Sequence, residues 1–186
     1  MKSGMLRIIG GTWKGRRIAA PPGLDTRPLM DRIKQSLFDW LGQNLDGLAV
    51  ADACAGSGSF AFEAASRGAR IVHACEPGAQ AFTTLSANHR DLGSPAQVVL
   101  HRSPFQQVLP SLNALDLVFC DPPFPWFSDD PASIVTLLSL ASAALAVDGT
   151  ILIRAEQGSS LPRVAGLHEH ERRAYGRSWV AALQRA

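Results

Sequence analysis

From Leu48 to the C terminus, short apolar runs alternate with longer segments in which apolar residues recur at helical spacing. The runs are rich in branched residues and are predicted to be strands: residues 48–53, 70–75, 96–101, 115–120 and 150–155. The segments between them predict helices at residues 59–68, 78–93 and 131–149, with a shorter turn at 105–109. This alternation indicates right-handed crossovers and an α/β fold, a mostly parallel sheet with helices on both faces.

The two ends of the chain add antiparallel elements to this pattern. Residues 166–186 alternate on either side of "YGRS", which predicts a C-terminal hairpin at the sheet edge and seven strands in all. Residues 6–20 predict a small N-terminal hairpin, followed by a proline-rich turn and an amphipathic helix over residues 30–45. That helix would carry its apolar face on Ile33, Leu37, Trp40 and Leu41. Helix ends are predicted by glycines just past three apolar segments, at Gly68, Gly93 and Gly149.

Composition limits the class of protein. The 186 residues are 46% apolar and 18% charged, which suits one main domain with a proper core. Since no apolar run approaches the roughly 20 residues that span a bilayer, and the N terminus lacks a signal-peptide core, we expect a soluble, cytoplasmic protein without a membrane partner. We expect Cys54, Cys75 and Cys120 to be reduced and buried, and the histidine spacing gives no reason to expect a metal site.

Positive charge is concentrated near the N terminus. Residues 1–34 hold eight basic and two acidic residues, a net charge of +6, against a total of +2 for the chain. We therefore expect a basic arm at residues 1–30 and a main domain at residues 31–186. On charge alone, a polyanionic partner and a merely solvated basic surface are equally good interpretations.

A glycine turn and a later acid are candidates for a cofactor site. In "DACAGSGSFAFEA", Asp52, Gly56 and Gly58 lie where the first long strand passes into a helix. A third glycine of the dinucleotide fingerprint is replaced by Ala61, so the GxG signal is weak by itself. Glu76 follows the second strand, where an acid can hold both hydroxyls of a ribose. Together they favour an adenosine-type cofactor over a plain tight turn with a solvated glutamate.

The run "LDLVFCDPPFPWF" ends a predicted strand with a carboxylate, two prolines and an aromatic ring. Asp121 and a proline-fixed backbone carbonyl at Pro122 can each accept one N–H of an exocyclic base amine, which directs its lone pair towards a methyl group. Phe124 offers a face on which a flipped base can stack. An isolated tripeptide of this kind would instead be a strand-ending turn, but the cofactor residues at the same sheet edge favour catalysis.

These residues carry a resemblance to a known family. The order of AGSG, the acid and DPPF resembles class I methyltransferases that act on base amines, with a Rossmann-like fold. The stretches "LRIIGGTWKGRRI", "TRPLMDRIKQSLFDWL" and "AGSGSFAFEAASRGA" resemble the RsmD family, bacterial methyltransferases of guanine N2 in 16S ribosomal RNA. The resemblance covers roughly residues 6 to 183, and its N-terminal part is the most specific.

The resemblance implies S-adenosylmethionine as cofactor and a role for each matching residue. Its methionine part would lie by Asp52, Gly56 and Gly58, and its ribose by Glu76, while Asp121, Pro122 and Phe124 would form the target-base site, with Asp121 also bordering the cofactor. Arg27 and Asp31 match the family's Arg-Pro-x-x-Asp-Arg stretch near the cofactor pocket. The set proposed to bind RNA is Lys14, Arg16, Arg17 and Arg27.

The chain also departs from the family pattern. Leu29 and Met30 replace small hydroxyl residues, and Gln35 replaces a glutamate. Ser103-Pro104 stands where an Asp/Asn-Ala pair contacts the adenine, so Ser103 becomes the candidate contact and a backbone donor is lost. Trp126 and Phe127, just after DPPF, could equally stack on bases or cover the next helix.

Two other functions remain compatible with the sequence. The same carboxylate and carbonyl suit adenine N6 or cytosine N4, so those amines in DNA or RNA are alternatives. An idle RNA-binding module of the same fold is a second alternative, since Ser103-Pro104 could weaken cofactor binding. We expect a monomer, and from the family we expect an assembling small ribosomal subunit as its substrate, while the sequence does not identify the nucleotide.

Overall fold

The structure, a computed structural model, describes residues 4–20 and 31–186. Its elements in chain order are β1 (Met5–Arg7), β2 (Arg17–Ala19), α1 (Asp31–Trp40), β3 (Ala49–Asp52), α2 (Ser59–Ser66), β4 (Ile71–Cys75), α3 (Ala79–Asp91), β5 (Val98–His101), α4 (Phe105–Val108), β6 (Leu115–Cys120), α5 (Trp126–Asp129), α6 (Pro131–Ala144), β7 (Leu145–Glu156), β8 (Leu167–Tyr175) and β9 (Ser178–Arg185). The predicted proline-rich turn and Arg27 lie outside the described residues. Apart from the C-terminal end of the helix predicted at residues 131–149, the other predicted strands, helices and hairpins are confirmed, with shifts of a few residues at their ends.

Seven strands form the main sheet in the order β5-β4-β3-β6-β7-β9-β8. The first five of these are parallel, β9 pairs antiparallel with β7, and β8 completes the hairpin at the edge. This is the predicted α/β fold of the class I methyltransferase type, with a C-terminal antiparallel hairpin. The N-terminal hairpin forms a separate two-stranded sheet in which Leu6 pairs with Ile18.

Each face of the main sheet carries its own apolar core. Because side chains alternate along a strand, Val50, Phe119 and Leu152 point to one face, where they join residues of α1, α2, α3 and the N-terminal hairpin. The neighbouring residues, such as Ala51 and Val118, point to the other face, where α6 covers them. Both strand faces are apolar, as expected for parallel strands covered on both sides.

The prediction of a helix over residues 131–149 is wrong at its C-terminal end. α6 stops at Ala144, and Leu145 adopts extended angles and begins β7. Gly149 is therefore not a helix-ending glycine: it lies in β7 where the register with β6 shifts, and a Cβ there would be 2.6 Å from the Leu115 carbonyl oxygen. Gly68 and Gly93 do follow helix ends with positive φ angles of 99° and 93°, as predicted.

A buried charge cluster attaches the N-terminal hairpin to α2. Glu63 accepts hydrogen bonds from the backbone N–H groups of Ile9 (2.9 Å) and Gly10 (2.8 Å), and it pairs with Lys34 (3.3 Å) and Arg67 (3.0 Å). None of these three charged side chains is more than 3% exposed. The "IIGG" part of the family-like motif thus serves docking, and Lys34, one of the basic residues near the N terminus, contributes no surface charge.

Two further sequence expectations concern cysteines and membranes. All three cysteines are free, as predicted; Cys75 and Cys120 are buried, whereas Cys54 is partly exposed. Within residues 4–20 and 31–186, no helix is both long and apolar enough to cross a membrane.

Candidate active site

Three predicted site acids meet at the carboxyl edge of neighbouring parallel strands. Asp52, the last residue of β3, is in register with Ala74 of β4 and Phe119 of β6. Glu76 and Asp121 each lie two residues beyond these partners, directly after β4 and β6, so all three acids lie at the same edge of the sheet. Carboxyl edges of parallel sheets are the usual ligand sites of such folds.

Asp52 is a buried acid with spare hydrogen-bonding capacity. Its side chain is 1% exposed, Oδ2 accepts from the Ala61 N–H at 3.2 Å, and Oδ1 is buried without a partner among the described residues. Burial raises the pKa of Asp52 to about 8, and the charges of Asp121 and Glu76 add to the rise. A cationic ligand group would relieve this repulsion and supply the missing partner.

The glycine turn is shaped by Glu76. The Glu76 Oε2 atom accepts from the Gly56 N–H at 2.9 Å, and Oε1 accepts from the Gly78 N–H at 2.7 Å. Burial raises the pKa of Glu76, and these two backbone donors partly oppose the rise. Gly56 has a φ of +54° and open space where a side chain would be, which leaves room for a ligand.

Gly58 is required for a different reason from Gly56. With φ at +83°, a Cβ at Gly58 would lie 2.4 Å from the Phe62 ring and 2.5 Å from Leu85. This glycine therefore allows α2 and α3 to pack closely at the start of α2. Its contribution to a ligand site would be indirect, through the shape of the turn.

Asp121 has a partner that the sequence pattern did not reveal. The Nη1 atom of Arg154, on β7, lies 2.7 Å from the Asp121 Oδ2 atom, and the guanidinium lies over the Phe124 ring, 4.9 Å from its centroid. Burial raises the pKa of Asp121, and Arg154 opposes part of the rise through its charge and hydrogen bond. In the sequence, Arg154 could have been noticed as a lone charged residue inside the apolar run "TILIRA". Only the order of the strands in the sheet shows that it faces Asp121.

The residues that follow Asp121 divide between the site and the core. Pro122 is buried, and Phe124 stays half-buried beside Arg154. Trp126 packs near Phe105, with ring centroids 6.4 Å apart, and Phe127 meets Trp179 edge to face. Of the two roles left open for Trp126 and Phe127, these contacts favour covering the core on the α6 face.

Ser103 lies at the edge of the site, and the basic hairpin is attached to the glycine turn through Asn88. Ser103 lies half-buried between β5 and α4, at the same sheet edge as Glu76. Asn88 of α3 bonds both Ala19 of β2 and the Ser57 carbonyl, which attaches the end of the hairpin to the glycine turn. The predicted RNA-binding residues Lys14, Arg16 and Arg17 are exposed.

Arg16 is partly engaged within the protein. It donates to the Asp91 carbonyl at the C-terminal end of α3, whereas the N-terminal end of α3 follows Glu76 at the site. Asp91 lies three residues beyond Asn88, whose side chain bonds the Ser57 carbonyl, so Arg16 is held near the part of α3 that contacts the glycine turn. Among residues 4–20 and 31–186, no group of three or more potential metal ligands is found.

Comparisons with known proteins place this geometry in a family. The family described as "Conserved hypothetical protein 95" matches residues 6–184. The chain is 28% identical over 185 residues to the putative rRNA methyltransferase YlbH of Bacillus subtilis, covering 97% of this chain and 99% of that protein. It is 33% identical over 122 residues to the ribosomal RNA small subunit methyltransferase D of Escherichia coli, covering 66% of this chain and 62% of that protein.

A solved structure supports the same relationship. The putative methyltransferase yhhF of Escherichia coli superposes with a TM-score of 0.83 at 28% identity, and the match covers 98% of both chains. The similarity therefore includes the N-terminal hairpin, the main sheet and the C-terminal hairpin. With the family match spanning nearly the whole chain, the protein belongs to the family of "Conserved hypothetical protein 95", the RsmD-like methyltransferases.

Proposed function

We propose that the protein transfers a methyl group from S-adenosylmethionine to the N2 amine of a guanine in 16S ribosomal RNA. The observation that carries the proposal is the meeting of Asp52, Glu76 and Asp121 at one sheet edge, with Pro122 and Phe124 directly after the last acid. The names of the relatives supply the class of RNA. Guanine as the base comes from the family resemblance.

The residues present fit the cofactor that class I methyltransferases use in general. The unpartnered Oδ1 atom of Asp52 and the open space at Gly56 suit the cationic methionine part. Glu76 uses one lone pair of each oxygen for Gly56 and Gly78, which leaves acceptor sites for ribose hydroxyls. Ser103 would contact the adenine, and Asp121 would border the methyl-bearing end. When bound, this cofactor supplies an electrophilic methyl group on a sulfonium.

The chain's own residues would prepare the amine for attack. The Asp121 carboxylate and the Pro122 backbone carbonyl would each accept one N–H, since both acceptors follow the same strand. This leaves the nitrogen lone pair free to point at the methyl group, and the carboxylate stabilises the positive charge that develops on nitrogen. Phe124 would stack on the flipped base.

RNA contacts outside the target base are assigned to the basic arm. Lys14, Arg16, Arg17 and Arg27 would bind phosphates, and such contacts position the RNA without selecting the base. Arg16 contacts the C-terminal end of α3, so these phosphate contacts would lie beside the helix that borders the glycine turn. We further propose that residues 1–30 act as the arm and 31–186 as the methyltransferase domain of a cytoplasmic monomer, with an assembling small subunit as substrate.

The test is transfer of labelled methyl to 16S RNA, free and in small-subunit particles, followed by nucleoside digestion. Label in N2-methylguanosine is the expected result. Asp121→Ala should abolish transfer while cofactor binding, followed by calorimetry, stays close to wild type. Asp129→Ala, which removes an exposed acid eight residues later, is the matched control and should keep full activity.

Other outcomes separate the alternatives. Label in N6-methyladenosine or N4-methylcytosine would keep the fold and cofactor but overturn the choice of base. RNA binding without any cofactor binding would point to the idle module. Full activity in Asp121→Ala would refute the mechanism whatever the base.

A further inference from the structure

Arg154 is a charged residue in one of the most buried strands of the protein. Its neighbours in β7, Ile151, Leu152, Ile153 and Ala155, are all fully buried and apolar. Burying a guanidinium costs several kcal/mol unless hydrogen bonds and an opposite charge compensate. Its side chain is 7% exposed, so its presence there calls for a specific partner.

That partner is the motif proposed to hold the target base. Arg154 bonds the Oδ2 atom of Asp121 at 2.7 Å and lies over the Phe124 ring, so a single side chain contacts both the acid and the aromatic residue of "DPPF". Asp121 is 27% exposed despite this bond, which leaves part of the carboxylate accessible from the sheet edge. The Arg154 Nε atom is buried without a partner among the described residues, so packing does not satisfy the guanidinium fully.

We propose that Arg154 is a positioning residue of the methyl-transfer site, which fixes the direction of the Asp121 carboxylate and holds Phe124 beside it. This inference rests on the proposed function and deepens it, because it assigns a role to a residue outside the DPPF motif. One Asp121 oxygen is bound to the guanidinium, and the other is left for the amine.

The burial of Asp121 among an acid and two neutral thiols shows why a cation is needed there. Asp52 approaches from β3, and the Cys54 and Cys120 thiols are adjacent, with pKa values raised well above the usual range by burial so that they remain neutral. Burial raises the pKa of Asp121, and among the described groups that act on it only Arg154 favours the charged form. Without Arg154, Asp121 would be protonated over a wider pH range and would lose an acceptor for the amine.

The first experiment measures the pKa of Asp121 directly, without substrate. Carboxyl carbon NMR of the wild type, Arg154→Met and Arg154→Lys should show a higher Asp121 pKa in the methionine variant and a largely restored one in the lysine variant. Arg173→Met is the matched control: Arg173 lies on β8, level with Arg154 across β9, but pairs with Glu171 and stacks on Trp40. It should leave the Asp121 pKa unchanged.

The second experiment follows kcat/KM for methyl transfer against pH, because kcat/KM reports the pKa values of the free enzyme, the state in which NMR measures Asp121. In Arg154→Met, the acidic limb should move to higher pH by as much as the Asp121 pKa rises. Below the limb, kcat/KM should fall about tenfold for every pH unit by which the limb has moved, with recovery at higher pH. The KM for the cofactor should stay within about twofold. A merely structural role would lower activity at all pH values alike, and Arg154→Lys would then give no rescue.

Three results would count against these assignments. An Asp121 pKa unchanged in Arg154→Met overturns the positioning role, as does a pKa that rises while the pH profile of kcat/KM stays fixed. Absence of methyl transfer by the wild type to any RNA would count against the proposed function, and the NMR comparison would still decide whether Arg154 controls Asp121.

Discussion

Replacement of Glu63 by glutamine tests the buried cluster that docks the N-terminal hairpin. The carboxylate receives four hydrogen bonds: Oε1 accepts from Gly10 (2.8 Å) and Arg67 (3.0 Å), and Oε2 accepts from Ile9 (2.9 Å) and Lys34 (3.3 Å). Glutamine has nearly the same shape, but one oxygen becomes an NH₂ group that faces two donors. Two bonds are then lost, and two buried cations lose their counter-charge.

The expected loss of stability follows from these contacts. Removing one partner of a buried ion pair costs about 3–5 kcal/mol, because the remaining charge stays buried without compensation. For a chain of 186 residues, this corresponds to a fall in Tm of roughly 6–20 °C. The cost should appear in the free energy of unfolding measured by urea titration. Trypsin should also cleave faster after Lys14, Arg16 and Arg17, since the hairpin loses one of its two backbone bonds to residue 63.

Glu169→Gln is the control for this experiment. Glu169 pairs with Arg172 at 2.6 Å, but both side chains are about one-third exposed, and exposed pairs contribute only about 0–1 kcal/mol. A loss below about 1 kcal/mol for Glu63→Gln, or trypsin cleavage no faster than in the wild type, would refute the view that the Glu63 cluster holds the hairpin.

Three further predictions concern the hairpin, the cofactor site and the basic arm. Gly11→Ala should destabilise the protein more than Gly15→Ala in urea titrations. Both glycines have a positive φ, at which an alanine costs about 1–3 kcal/mol. At Gly11 the added Cβ would also lie 1.7 Å from the Ser66 carbonyl oxygen of α2, whereas at Gly15 it would meet nothing within 4 Å. Equal losses would contradict this. Cofactor affinity should rise with pH up to about 8, by at most tenfold per pH unit, since the pKa of Asp52 is raised to about 8 and a cationic ligand binds the ionised acid with release of a proton. Calorimetry in two buffers of different ionisation enthalpy measures the released proton. The Asp52→Asn variant should lose the pH dependence of cofactor affinity. A wild-type affinity that does not change with pH would contradict the role of Asp52. An Arg16→Ala, Arg17→Ala variant should bind RNA more weakly, with a smaller salt dependence in filter binding, while the methylated base stays the same; a change of base would contradict the assignment of phosphate contacts.

The pattern of apolar residues and glycines along the chain was sufficient to predict most strands and helices. Runs of branched apolar residues predict β3 to β6 because parallel strands buried on both faces need them, and Gly68 and Gly93 predict helix ends because both adopt positive φ. The same reasoning failed at residues 145–149. The apolar spacing of α6 continues into this segment, and only pairing with β6, at the register shift beside Leu115, makes it a strand.

The candidate site, too, could be predicted from the sequence only in part. By itself the sequence determined which acids follow which strands, so that Asp52, Glu76 and Asp121 could be expected at one edge of a parallel sheet. Only the tertiary structure decided what each contacts: Arg154 reaches Asp121 because β7 lies next to β6, and Glu63 faces Gly10 because the hairpin packs on α2. Strand endings are local consequences of residue pattern, whereas contacts between residues 33 to 53 positions apart depend on the order in which strands and helices pack.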